Sequence, residues 1–230
     1  METSPSSLPN VRYSLGMART TVFNSGSSQF YINLKDTAEW PRLSLATLIH
    51  HEGAPGHHFQ LALVAQSDLP KLRQNMGFSA NTEGWALYAE QLAMEIGMYE
   101  GDDLGLLGMY QARLFRASRC VVDTGIHAKG WSREQAQRYL HDNTAMGDHE
   151  IETEVDRYIA WPGQALSYYM GMLAFEEGRA RAEKALGPKF NIRAFHDAVL
   201  AIGSAPIPVI QARIDQLIAD GGKGPYPDEE

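Results

Sequence analysis

The step Pro55-Gly56 constrains this chain most, because it splits a histidine-rich segment. That segment reads Leu48-Ile49-His50-His51-Glu52-Gly53-Ala54-Pro55-Gly56-His57-His58-Phe59-Gln60, and it holds four of the chain's eight histidines. A helical His-Glu-x-x-His pair sets two imidazoles four residues apart on one face, where both reach one metal ion and the glutamate acts as a base. Here the residue four on from His51 is Pro55, and His57 is six on. Six steps of about 100° turn a side chain roughly 240° away, so a regular helix cannot aim both at one ion. His58 shares the face of His51 but lies about 10 Å along the axis. Proline breaks the helical ladder and glycine accepts the dihedrals that follow. A two-residue bulge at Pro55-Gly56 is therefore expected to bring His57 back to the ligand position. Apolar Leu48, Ile49, Phe59 and Leu61 flank the cluster and predict its burial. Buried imidazoles need partners, and a shared metal supplies one.

A length of 230 residues allows one sizeable core. The sequence divides into an irregular segment at 1–15, a single domain at 16–220 and a polar, disordered tail at 221–230. A net charge of −8 without basic runs argues against a nucleic-acid partner. The single cysteine, Cys120, excludes an internal disulfide and reads as a buried thiol in the run Cys120-Val121-Val122. No window of about eighteen apolar residues exists, so no membrane span is expected. The first residues show neither the basic nor the apolar part of a signal peptide, and the compartment stays open.

The predicted fold is mainly α, or α+β if the small N-terminal hairpin is counted. The hairpin joins Thr20-Thr21-Val22-Phe23 to Gln29-Phe30-Tyr31-Ile32-Asn33-Leu34 across a Gly/Asn/Ser turn. From Leu43 onward helices dominate. One enters the histidine cluster and resumes to about residue 65. Asn81-Thr82 caps the next, which runs to Ile96. Asp102-Asp103 opens a long helix with Leu106, Leu107, Tyr110, Leu114, Ala117 and Val121 on an apolar face. Ser132-Arg133-Glu134-Gln135 is a capping box. Further helices cover Asp148 to Ile159, Pro162 to Gly187, Asn191 to Ile202, and the stretch after Pro206-Ile207-Pro208.

A catalytic zinc takes three protein ligands and keeps one place for water. Two histidines therefore need a third donor, and Glu83 is placed for it in the helix that follows. Gly84 would let that helix approach the histidine helix closely. An acid in a first turn is also favoured by the helix dipole alone. His58 is the alternative second imidazole. Glu90, two turns beyond Glu83, is the alternative carboxylate and more naturally an outer partner.

These residues resemble the bacterial domain-of-unknown-function 885 family, grouped with gluzincin-type metallopeptidases. The resemblance rests on His51-Glu52-x-x-Pro55-Gly56-His57-His58-Phe59-Gln60 and Glu83-Gly84-Trp85-Ala86-Leu87-Tyr88-Ala89-Glu90. It continues through Val121 to Ser132, Arg157 to Ala165 and Phe195 to Leu200. It implies a zincin-like helical metallopeptidase architecture. It also implies that this chain is the C-terminal catalytic part of a longer protein, whose N-terminal half forms the other wall of a substrate cleft. The implied chemistry is hydrolysis of a peptide, with Zn²⁺ on His51, His57 and Glu83 and with Glu52 as general base. His127, Tyr158, Tyr168 and Tyr169 are candidate oxyanion donors, and Arg157 a partner for a substrate carboxylate. The segment Gln29 to Asn33 resembles an edge strand that pairs with extended substrate. His141, His149 and His196 read as solvated. Two other functions fit the same residues: an esterase or amidase on a small non-peptide substrate, and a non-catalytic helical module whose metal is structural.

Overall fold

The computed structural model describes residues 41–226. The expected hairpin, the edge strand within it and the irregular segment at 1–15 lie outside the described residues. The helices, in order, are α1 (Arg42–Glu52), α2 (His57–Gln66), α3 (Lys71–Asn75), α4 (Ser79–Glu95), α5 (Asp103–Lys129), α6 (Arg133–Asn143), α7 (Asp148–Ala160), α8 (Gln164–Leu186), α9 (Ile192–Leu200) and α10 (Ile207–Ala219). A short 3-10 turn, Gly187–Lys189, follows α8. Among the described residues there is no strand, so the mainly helical expectation holds there.

The pair α4 and α8 forms the spine, and its closeness is decided by two glycines. A Cβ on Gly84 would lie 2.4 Å from the carbonyl carbon of Gly171, and one on Gly171 would lie 1.9 Å from Ala80 O. Any larger residue would force the helices apart. Gly84 thus serves a close approach, but to α8 rather than to the histidine helix. Against this spine α9 and α10 add a core around Trp85, Tyr88, Met172, Phe175, Phe195 and Ile214. A second core joins α5, α6 and α7 through Val122, Leu140, Ile151, Val155 and Tyr158.

Local signals held where partners are two or three residues apart. Ser132 and Gln135 form the predicted capping box of α6. Asn191 caps α9 by accepting from Arg193 N and Ala194 N. Other expectations are corrected. The helix α4 starts at Ser79, earlier than Asn81-Thr82, and Phe78 N donates to Ser204 Oγ instead. Asn81 is buried and accepts from Gln60 Nε2 at 2.9 Å, so its side chain joins α4 to α2. The apolar stripe of α5 faces outward: Leu107, Tyr110, Leu114 and Val121 are about half exposed. Its inner face carries Gly105, Gly108, Met109, Ser118, Arg119, Val122 and Asp123. Small residues there admit α1, and the polar ones bond inside.

Candidate metal centre

The Pro-Gly step breaks the helix outright instead of bulging it. The first helix ends at Glu52, and His57 is the first residue of the second. Within the connection, a Cβ on Gly56 would lie 1.9 Å from His51 O, so only glycine lets the chain turn this tightly. Trp85 Nε1 donates to Pro55 O at 2.9 Å and pins the turn to α4. The break solves the angular problem that a continuous helix could not. The rings of His51 and His57 meet edge to face with centroids 4.8 Å apart.

Glu83 of α4 closes the group. Its Oε2 lies 3.2 Å from His57 Nε2 and 3.8 Å from His51 Nε2. The ligand atoms of His51, His57 and Glu83 all fall within 4.8 Å of one another, so this group could hold a metal ion. Donors at zinc distances on a tetrahedron are ~3.3 Å apart, and the spacing here fits such an ion. His58 and Glu90 are not members of that group. Glu90 instead takes the other face of His51: its Oε1 is 2.7 Å from His51 Nδ1, and Thr47 Oγ1 donates to its Oε2 at 2.8 Å. Glu90 is 3 % exposed. A buried carboxylate stripped of its partners costs roughly 3–5 kcal/mol, so Glu90 depends on its bonds to His51 and Thr47, the arrangement of an outer partner behind a ligand histidine.

Electrostatics agree with a cation at this place. Burial opposes charge on His51, but Glu83 and Glu90 outweigh it and push its pKa up to about 10. Burial likewise opposes charge on Glu83, yet His51 and His57 hold it well below the usual carboxylate range. A field that keeps a proton on a buried imidazole also attracts a divalent ion, which binds by displacing that proton.

The apolar flanks do not bury this cluster. Ile49, Phe59 and Leu61 are 49 %, 41 % and 41 % exposed, while His50 and His51 are buried. Burial comes from across the fold, through Tyr99 against His50 at 5.3 Å and Tyr168 stacked on His51 at 6.4 Å. Glu52 ends α1, is half-buried, and enters no hydrogen bond or ion pair with another described side chain.

The remaining predicted residues separate. Tyr168 is at the cluster. Burial and Glu83 oppose its ionisation, but Arg119, Arg116 and Arg157 prevail and lower its pKa. Tyr158 lies in the second core, where burial raises its phenol far above the usual range. His127 is exposed, and its Nε2 is 2.9 Å from Tyr158 O, a link between α5 and α7. Arg157 is already engaged by Glu154, Gln164 and Tyr168. Tyr169 packs beside the first core. His141 and His149 are exposed as expected, but His196 is half-buried against Trp85, Tyr88 and Phe195. Cys120 is half-buried and burial raises its thiol, in keeping with an unreactive side chain.

Sequence reasoning missed Thr47, Arg116 and Arg119. Thr47 stands four residues before His51, on the same helical face, and that spacing was a usable signal. Arg119, 1 % exposed, pairs with Glu154 at 3.3 Å and lies 4.3 Å from the Tyr168 ring centre. Arginines inside an apolar run were its only trace in the sequence.

Fold and site together define a helical domain with a two-histidine, one-glutamate group suited to a metal ion. The chain belongs to the family described as "Bacterial protein of unknown function (DUF885)", whose profile matches residues 15–214. It is similar to a solved protein of Colwellia psychrerythraea, provisionally named a lipoprotein, with 46% identity, a TM-score of 0.82, and cover of 84% of this chain and 33% of that one. It is also similar to a provisionally named lipoprotein of unknown function from Shewanella oneidensis, with 26% identity, a TM-score of 0.74, and cover of 85% of this chain and 38% of that one. The chain thus spans about a third of these relatives' length. No curated protein matches it. No helix among the described residues is long and apolar enough to cross a membrane.

Proposed function

We propose that this domain is a zinc-dependent hydrolase of peptide bonds with a zincin-like, gluzincin-type site. The observation that carries this reading is the convergence of His51, His57 and Glu83, with Glu52 directly after His51. Among the described residues the group has three donors and His58 is not one of them, which leaves room for a water, whereas a purely structural zinc takes four. Zinc, when bound, supplies Lewis-acid polarisation of a carbonyl and of water. Glu52 takes the proton of the attacking water and returns it to the leaving amine. Glu90 and Thr47 hold the His51 ring in place. Tyr168 is the oxyanion donor of this reading, since His127 is bonded to Tyr158 O, Tyr158 belongs to the second core, and arginines make the Tyr168 hydroxyl a better donor. The lipoprotein names of the two relatives favour an exported setting. The additional length of those relatives favours a second cleft wall from outside this chain.

The test is zinc content and turnover. Purified protein should carry about one zinc per chain and cleave unstructured peptides, with loss on chelation and recovery on zinc. Glu52→Gln should keep the metal and lose at least about 100-fold in kcat. A Glu52→Gln protein with undiminished turnover would remove Glu52 from the reaction, and a protein that excludes zinc would remove the reading altogether.

A further inference from the structure

The arginines around Tyr168 are not equivalent. Arg157 is bonded to Glu154 and Gln164, and Arg119 is paired with Glu154 and shut away from solvent. Arg116 differs from both. It is half-buried, no carboxylate among the described residues lies within ion-pair distance of it, and its Nε is buried without a hydrogen-bond partner. Its guanidinium sits 4.9 Å from the centre of the Tyr168 ring and 4.9 Å from that of Phe115. The same Tyr168 ring stacks on His51. One aromatic ring therefore touches both the candidate metal ligand and a cation that has no carboxylate partner among the described residues. The Arg116 charge is felt at His51, Glu150 and Glu154 as well.

Leaving a guanidinium half out of water with no anion is costly, and five N–H donors in a planar fork match a carboxylate. Ring contacts offset part of that cost but satisfy none of those donors.

We infer that Arg116 binds the C-terminal carboxylate of a peptide substrate, which makes the proposed hydrolase a carboxypeptidase. This rests on the proposed peptide hydrolysis at the same site. In the step itself the water oxygen bonds to the carbonyl carbon of the last peptide bond, and the C–N bond breaks. The water proton leaves on the amine, so the products are a free amino acid and a peptide one residue shorter. Arg116 takes no proton and serves only to set which bond reaches the cluster.

The experiment measures binding and turnover separately on the full chain loaded with zinc. Calorimetric titration of the Glu52→Gln protein uses benzoyl-Gly-Phe as the free acid and as its C-terminal amide. The free acid should bind about 10- to 100-fold more tightly. Adding Arg116→Met should reduce that ratio to near one and leave affinity for the amide unchanged, while Arg116→Lys keeps part of it. In the protein with Glu52 intact, Arg116→Met should raise KM for the free acid and spare kcat. Equal binding of acid and amide, binding of neither, or a preference that survives Arg116→Met would each overturn the inference. Cleavage of acid and amide with equal kcat/KM would also overturn it while leaving the peptidase reading intact. Preference for the acid without cleavage of either compound would keep Arg116 as a carboxylate-binding residue and overturn both the carboxypeptidase assignment and the peptidase reading beneath it.

Discussion

Two imidazoles pack against α4, and their surroundings drive them in opposite directions. His51 faces Glu90 and Glu83, and its pKa rises to about 10. His196 sits among Trp85, Tyr88 and Phe195, and burial together with Arg179 presses its pKa down to about 4. Its Nε2 meets Tyr88 OH at 2.9 Å, and Arg179 Nη1 donates to the same hydroxyl at 3.3 Å. His51 is buried and His196 half-buried, so burial alone does not decide their charge. At His51 the facing carboxylates outweigh burial and create a place for a cation, while at His196 burial prevails, helped by the Arg179 guanidinium, and keeps the ring neutral. The same helix supplies Glu83 and Glu90 to one ring and Tyr88 to the other.

The contrast is open to direct attack. The largest effect should follow Glu83→Gln, which removes a candidate ligand from the His51 side. Zinc affinity, read by competition with a chromophoric chelator, should fall by more than about 100-fold, beyond the range for an outer partner. An unchanged affinity would mean that the cation, if any, is held elsewhere. Glu90→Gln should act less strongly, because it loosens the His51 ring without removing a donor. A loss of about 10- to 100-fold in zinc affinity is expected, and a loss as large as that of Glu83→Gln would make Glu90 a ligand.

The smallest effect belongs to His196. Its folded-state pKa lies below its unfolded value of 6.5, so between about pH 4 and 6.5 the unfolded chain binds more protons. The neutral ring therefore contributes stability that is present above that window and lost as pH falls through it. Going from about pH 7 to about pH 5 in chelator, this group should account for at most about 2 kcal/mol, a Tm change of a few degrees. His196→Gln should flatten that part of the pH profile, and an equally steep profile would place the acid sensitivity elsewhere.

Much of the site was legible because its donors are rare residue types in a tight segment. His51, Glu52 and His57 stand out by spacing, and Glu83 by its place in the following helix. The manner of convergence was not legible, since a bulge and a full break after Glu52 both satisfy the Pro-Gly step. The roles of the outer residues were harder still. Ile49, Phe59 and Leu61 read as a burying collar yet lie half exposed, and the apolar stripe of α5 points outward. Hydrophobic pattern reports that a face is apolar, not which neighbour covers it. Arg157 carried the obvious charge for a substrate, but Glu154 and Gln164 occupy it, and it is Arg116 that has no carboxylate partner among the described residues.

The amino-acid sequence by itself determined the helical composition past residue 41, the capping at Ser132 and Asn191, and the set of side chains that can ligate a cation. Those follow from interactions within about one turn of chain, where spacing alone fixes the geometry. Only the tertiary structure decided that α4 passes close enough to the turn at Gly56 for Glu83 to reach two imidazoles, that Glu90 orients one of them, and that His196 stays neutral on another part of the same helix. The reason is distance: ligand convergence depends on separations of a few ångströms between helices far apart in sequence, and these are set by how small residues such as Gly84 and Gly171 let the helices pack.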